Sequence, residues 1–352
     1  MGAVVAVATL NLYHYASPDV WWYGVDPEGA ARHTARSWTA KRLWLSCLLR
    51  EMDADLVGFQ EVVAVEDLRS LAAEAGYPHF FAAGTPRIEA SHGERVYFRP
   101  VQAIASRLPM RAFALSSPAG FAERMELHRD WDFRRPPAVA EVETALGPVW
   151  IACAHLKSPG APIDEGAWAA RLSDDMTPEA RAREIAEARA RGHAASVRQR
   201  AAEAAALQQA AFDAMAEQPD RGAIALGDFN APPASPTLSA LRAASSEREA
   251  GEAARFWRLH DAADLAPPSQ IPVRPATHRG GGAGTAIDFV MVSSLFAGAS
   301  FDDASEAPAR VIEHRVFDAH LRDGSDPAST SDHAAVRVRL RRDPNQDVPL
   351  SG

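Results

Sequence analysis

Polar, chemistry-bearing residues close one apolar run after another along this chain, and that recurrence limits what it can fold into. Asn11 closes the run that begins at 4–9, Gln60 and Glu61 follow 55–59, and His155 ends the run at 149–154. Asp228 and Asn230 follow 223–226, Asp288 lies inside 286–292, and Asp332 with His333 leads into 334–340. Short apolar runs rich in β-branched residues read as buried strands. In α/β sheets the ends of such strands are where a site assembles, because loops there hold polar groups side by side without burying them unpaired. Each residue alone has a plainer account. Asn11 suits a turn, Glu61 a helix N-terminus, His155 a hydrogen-bonded core, and Asp228 with Asn230 an Asx turn before Pro232 and Pro233; Asp332 and His333 suit a strand-leading turn. The case for a site rests on the set.

Between these runs the pattern turns helical. Residues 37–52 carry Trp38, Leu45, Leu48 and Leu49 on one side with Ser37 as N-cap, and 65–75 end at Gly76, which fits a C-cap. Thr177 followed by Pro178 predicts a helix start, and the helix runs to 218. Only its C-terminal half shows a core stripe, through Val197, Ala201, Ala204, Gln208, Ala211 and Met215. Further strands are expected at 96–98, 102–106, 139–143 and 149–154. Strands and helices interleave without a strict βαβ rhythm, which favours a layered α/β sandwich over a doubly wound sheet or a barrel. A length of 352 residues would allow two domains. No linker-like change of composition and no repeat is visible, so one domain over 1–340 with a frayed tail at 341–352 is expected.

The site chemistry follows from the donor types. Carboxylates at separate strand ends with asparagine partners, and no histidine or cysteine pair at zinc spacing, make a hard oxygen-rich pocket suited to Mg2+ or Mn2+. Such a cation takes its remaining ligand from a substrate phosphate, and histidines beside it stabilise charge growing on phosphate oxygens. Metal-assisted phosphoester hydrolysis is the reaction this combination suits. The formal charge of −9, from 37 basic and 46 acidic residues, does not favour a basic stripe for duplex binding. Cys47 and Cys153 lie in apolar surroundings and are expected to be buried and reduced. With no run of about 18 apolar residues and no charged segment before the first strand, a cytoplasmic monomer without a transmembrane segment is expected.

The ordered series ThrLeuAsn at 9–11, ValGlyPheGlnGluVal at 57–62, AlaIleAlaSerArg at 103–107, AlaHisLeuLysSer at 154–158, LeuGlyAspPheAsn at 226–230, IleAspPheValMetVal at 287–292 and SerAspHisAlaAlaVal at 331–336 resembles the endonuclease/exonuclease/phosphatase superfamily. The resemblance spans 3–340. It implies a four-layer α/β/β/α sandwich, two packed mixed sheets flanked by helices. It also implies roles: Glu61 as principal metal ligand with Asn11 beside it and Asp332 as a further or water-mediated ligand, and Asp228 as the carboxylate that orients or deprotonates the attacking water. Asn230 and His155 resemble the donors that hold the phosphate. His333 resembles the histidine that binds the phosphate or accepts the proton, oriented by Asp288. The partner implied is a phosphoester substrate: nucleic acid, nucleotide, phospholipid or inositol phosphate. The competing reading is an inactive phosphate- or partner-binding module, which has no chemical reason to retain Glu61, His155, Asp228, Asn230, Asp288 and His333 together.

Three further features bear on substrate. Tyr13, His14, Tyr15, Trp21, Trp22, Tyr23 and Trp38 follow Asn11 closely and either stack a substrate face or seal the loop against the sandwich. Residues 159–195 are a mixed-charge segment that reads as a lid or a solvated helix, and Gly280 to Gly284 as a loop without the Lys-Ser/Thr of a P-loop. Lys157, His278 and Arg279 lie close to motif residues and within reach of a substrate phosphate.

Overall fold

Val5 and Val7 of β1 (Val4–Tyr15) face one hydrophobic cluster while Ala6, Ala8 and Leu10 face another, the two-residue alternation of a strand covered on both sides. The computed structural model describes residues 2–26, 28, 31–160, 176–242, 257–267, 274–279, 284–298 and 309–342. The remaining strands are β2 (Val20–Trp22), β3 (Leu56–Val62), β4 (His79–Ala82), β5 (Arg87–Ser91), β6 (Glu94–Arg99), β7 (Val101–Ser106), β8 (Met110–Ala114), β9 (Ala138–Thr144), β10 (Gly147–His155), β11 (Gly222–Asp228), β12 (Leu259–Asp261), β13 (Asp288–Ser293), β14 (Ala309–Phe317) and β15 (Ala335–Arg342). One six-stranded sheet has the order β14-β15-β1-β3-β7-β4, and a second has β12-β13-β11-β10-β9-β8. Both mix parallel and antiparallel neighbours. A small sheet, β2-β6-β5, is added.

The two large sheets pack face to face through Val5, Val7, Leu56 and Ile104 of the first and Val149, Ile151, Ile224 and Val290 of the second. Gly58 lies on this interface; a Cβ there would come within 2.4 Å of Leu226 Cδ1 and 2.9 Å of Cys153 Sγ. The outer face of the first sheet is covered by α1 (Ala35–Met52) and α2 (Val65–Glu74), through Leu45, Leu49, Leu68 and Leu71. The short α3 (Phe121–Arg124), the long α4 (Pro178–Glu217) and α5 (Pro236–Arg242) cover the second, with Leu207, Ala211, Met215 and Leu238 against Trp150 and Met291. The order of layers is α/β/β/α, as the resemblance implied.

Local details differ from the sequence reading. Thr34, not Ser37, caps α1; Ser37 is at the third helical position and closes a capping box with Thr34, so the helix starts two residues earlier. Cys47 is exposed on α1, while Cys153 is buried, and both are free thiols. Thr177 does cap α4, accepting from Ala180 N at 3.2 Å. The first half of α4 shows no apolar stripe because its buried contacts are Ala188, Gly192 and Ser196, residues too small to mark one. Of the segment 159–195, residues 161–175 lie outside the described residues, as do 280–283 of the glycine-rich loop. Among the described residues no helix is long and apolar enough to cross a membrane.

Candidate functional site

Strand register alone aligns half of the candidate residues. His155 pairs with Asp228 across β10 and β11, and Asp228 with Asp288 across β11 and β13, so the three form a row at one end of the second sheet. In the first sheet Asn11 pairs with Gln60, and Asp332 and His333 lie just ahead of β15, the antiparallel neighbour of β1. The two sheets therefore present their polar ends on the same side. The eight residues singled out by sequence all reach this point.

Glu61 arrives there through a backbone irregularity. Continued alternation on β3 would turn it with Val57 and Phe59 toward the helices; instead it has a φ of 61°, and the pairing of β3 with β7 shifts register between Phe59 and Val62. A bulge of this kind re-aims a side chain, and left-handed backbone at a non-glycine residue is strain that the surrounding structure must hold. Tyr13 and His14, with φ of 47° and 55°, bend β1 to meet it. The His14 backbone N–H donates to Glu61 Oε2 at 2.9 Å. The His14 ring contacts the Tyr97 hydroxyl and stacks on Trp22 with centroids 4.4 Å apart.

Asp228 is the hub. Its Oδ2 accepts from Asn11 Nδ2 at 3.0 Å and its Oδ1 from the Asn230 backbone N–H at 2.8 Å. His155 Nε2 is 3.4 Å and His333 Nε2 3.8 Å from Asp228 Oδ2. His333 Nδ1 meets Asp288 Oδ2 at 2.9 Å, and Thr277 Oγ1 accepts from the Asp288 N–H at 3.0 Å. Ser331 fixes the turn that carries His333, its hydroxyl donating to Asn11 O at 2.7 Å and accepting from His333 N at 3.0 Å. Asn11 also donates to Glu61 Oε1 at 3.4 Å, so its amide bridges the two carboxylates, while its Oδ1 accepts from Tyr13 N.

Burial and charge set the protonation states. Burial raises the Asp228 carboxyl to about 6, with the Asp288 charge adding to it and His333 opposing. For His333 burial works against the charged form, but the Asp288 and Asp228 carboxylates outweigh it and lift the imidazole to about 10. Burial pushes His155 far below the ordinary histidine range, and Arg135 pushes it further, so it is neutral. For Glu61 burial opposes ionisation, yet the His14 ring and backbone N–H, with His333 and Arg135, hold its carboxyl below the usual range.

Two groups of three donor atoms lie close enough to share a cation: Asp228, Asp288 and His333, and His278, Asp332 and His333. His333, kept protonated between carboxylates, has no lone pair to give a metal, which leaves the carboxylate oxygens and the His278 ring as the usable donors. Asp332 Oδ1 and Asp288 Oδ1 are buried with no hydrogen-bond partner among the described residues, and Glu61 and Asp332 both act electrostatically on His14, Tyr13 and Lys41. Clustered carboxylates with orphaned oxygens fit a hard divalent cation.

Sequence reasoning overlooked two cations. Lys41 is buried on α1 and donates to the backbone oxygens of Pro327 and Thr330, tying down the segment ahead of Asp332. Its place in the helical stripe Trp38, Lys41, Leu45, Leu48 was the available signal. Arg135 donates from Nε and Nη2 to the carbonyls of His155 and Leu156, at 3.1 and 2.7 Å. Nothing in its local sequence marks it.

Residues 8–333 match the profile of the Endonuclease/Exonuclease/phosphatase family. No curated protein matches the chain in sequence. Among solved structures, an endonuclease/exonuclease/phosphatase from Beutenbergia cavernae is similar with a TM-score of 0.54 and 16% identity, covering 97% of this chain and 72% of that one. The human Nocturnin catalytic domain with bound sulfate gives 0.53 at 15% identity, covering 97% and 96%. A humanized D. rerio TDP2 gives 0.51 at 12%, covering 96% and 99%. At these identities the likeness is one of fold.

Proposed function

Because the chain belongs to the endonuclease/exonuclease/phosphatase family, whose members are metal-dependent phosphoesterases, we propose that it hydrolyses a phosphodiester by in-line attack of water, with Mg2+ or Mn2+ held by Glu61, Asn11 and Asp332. The observation that carries this reading is geometric: His333, locked by Asp288 at 2.9 Å, turns its Nε2 to within 3.8 Å of Asp228, a carboxyl that burial holds above the usual range beside an imidazole that the carboxylates hold above its own. One group is ready to give a hydrogen bond to a phosphate oxygen, the other to take a proton. Site residues come from both large sheets, which supports one catalytic unit over 1–340.

Asp228 is the group that orients and deprotonates the attacking water, since Asn11 Nδ2 and the Asn230 N–H fix its two oxygens. His333, an imidazolium at neutral pH, serves as donor rather than base. Neutral His155, at 3.4 Å from Asp228 Oδ2, and the Asn230 side chain complete the wall against which the phosphate lies. When bound, the cation polarises a phosphoryl oxygen and offsets the crowded carboxylates.

The rate should rise with pH through about 6, as Asp228 loses its proton, and fall near 10, as His333 loses its own. A profile of kcat/KM that stays flat through the lower limb would remove Asp228 from the base role. The substrate question is put to a panel of bis-p-nitrophenyl phosphate, plasmid DNA, single-stranded DNA, sphingomyelin and inositol phosphates, each with Mg2+ or Mn2+. Hydrolysis of at least one diester is the expected result. Attack on monoesters alone would contradict the reading, and no hydrolysis of any member would favour a binding module on this fold.

A further inference from the structure

Helix α4 clamps two chain segments beside the catalytic residues. Buried Glu203 accepts from the backbone N–H of Arg134 at 3.0 Å and of Lys157 at 2.7 Å, and buried Arg200 donates to Lys157 O at 2.8 Å. Gln199 Oε1 accepts from Trp131 Nε1 at 2.8 Å, while Gln199 Nε2 donates to Glu203 at 3.1 Å. Between these segments and the helix lies a cavity of about 290 Å3 whose lining includes Trp131, Arg134, Lys157, Arg198, Gln199 and Glu126.

Among the described residues three cations line this cavity against one carboxylate, although the chain as a whole carries a charge of −9. Among the described residues Arg134 and Arg198 have no ion-pair partner. Lys157 turns its ammonium to the Ser158 and Gly160 carbonyls at 2.8 and 3.1 Å, so it contributes charge rather than a free donor. Burial lowers its pKa, and Arg135, Arg200 and Arg134 lower it further against the opposing pull of Glu203. Positive charge is in surplus here, and an anion relieves it. The cavity also adjoins the catalytic row: Lys157 is two residues beyond His155, and Arg135, next to Arg134, holds the His155 carbonyl.

An aromatic ring, an amide and two guanidinium groups that are unpaired among the described residues form a lining whose chemistry matches a base with its phosphate. We propose that this cavity is a subsite for the nucleotide flanking the scissile phosphodiester, with the base at Trp131 and the outer phosphate between Arg134 and Arg198. The proposal rests on the phosphodiesterase reading above.

The test compares wild type with the double variant Arg134→Ala/Arg198→Ala and with Trp131→Leu, on a deoxythymidine hexamer and on bis-p-nitrophenyl phosphate, which has no flanking nucleotide. The hexamer KM should rise about tenfold in each variant, with kcat/KM on the small diester held within about twofold. Equal losses on both substrates would mean a structural role, and no loss on either would mean no subsite. A wild type that cleaves the small diester but not the hexamer overturns the subsite and leaves the phosphodiesterase reading standing. Calorimetric titration with thymidine 5′-monophosphate in EDTA tests the cavity without turnover. One-to-one binding that is lost in the double variant supports the subsite even if no diester is cleaved. Failure of the nucleotide to bind, or binding no tighter than inorganic phosphate, overturns it.

Discussion

Replacing His333 by alanine, or Asp228 by asparagine, is expected to lower phosphodiester turnover by about three orders of magnitude or more. The two substitutions remove different halves of one device. Without His333 the phosphate loses a charged donor, and Asp288, buried and already carrying one orphaned oxygen, loses its partner at 2.9 Å. With asparagine at 228 the hydrogen bond from the Asn230 N–H can persist, but an amide nitrogen replaces the oxygen that accepts from Asn11 Nδ2, and the group no longer takes a proton. The asparagine variant should therefore still fold, with a melting temperature below wild type, while losing turnover. Because the two residues act as a unit, combining the substitutions should cost little more than either alone. Wild-type turnover in either single variant would remove that residue from the mechanism.

Gly227→Ala is expected to be the most damaging single methyl group in the site. Gly227 has a φ of 139°, and a Cβ there would lie 1.9 Å from Ala154 O, a backbone atom of the paired strand. Neither neighbour can yield without parting β10 from β11 where His155 meets Asp228. A loss of about 3 kcal/mol or more in unfolding free energy is expected, read from denaturant midpoints. Gly76→Ala is the control, since Gly76 also has a positive φ, of 92°, but open space around its missing Cβ. There the cost should be about 1 kcal/mol. Equal losses at the two positions would mean that backbone conformation, and not the contact with β10, governs the effect.

The contrast between these glycines shows what a sequence can and cannot display. The strands at 149–154 and 223–226 are apolar because both faces are covered, and that burial is visible as composition. Edge strand β14 (Ala309–Phe317) reads ArgValIleGluHisArgVal within its length, buries alternate positions only in part, and was not anticipated. The eight candidate residues that the fold brings together were legible as a set because each is a polar group at or near the end of an apolar run. Arg135 and Lys41 were not, since each acts by holding backbone carbonyls contributed by other segments. The left-handed bulge at Glu61 has no sequence signature either; it follows from the contact that the bent β1 makes with the end of β3.

The central claim, a phosphodiesterase whose carboxylates work through a divalent cation, is tested most directly by removing the cation. Turnover of bis-p-nitrophenyl phosphate should vanish when the protein is stripped with EDTA and return when Mg2+ or Mn2+ is restored in excess. Turnover that survives EDTA unchanged would contradict the account.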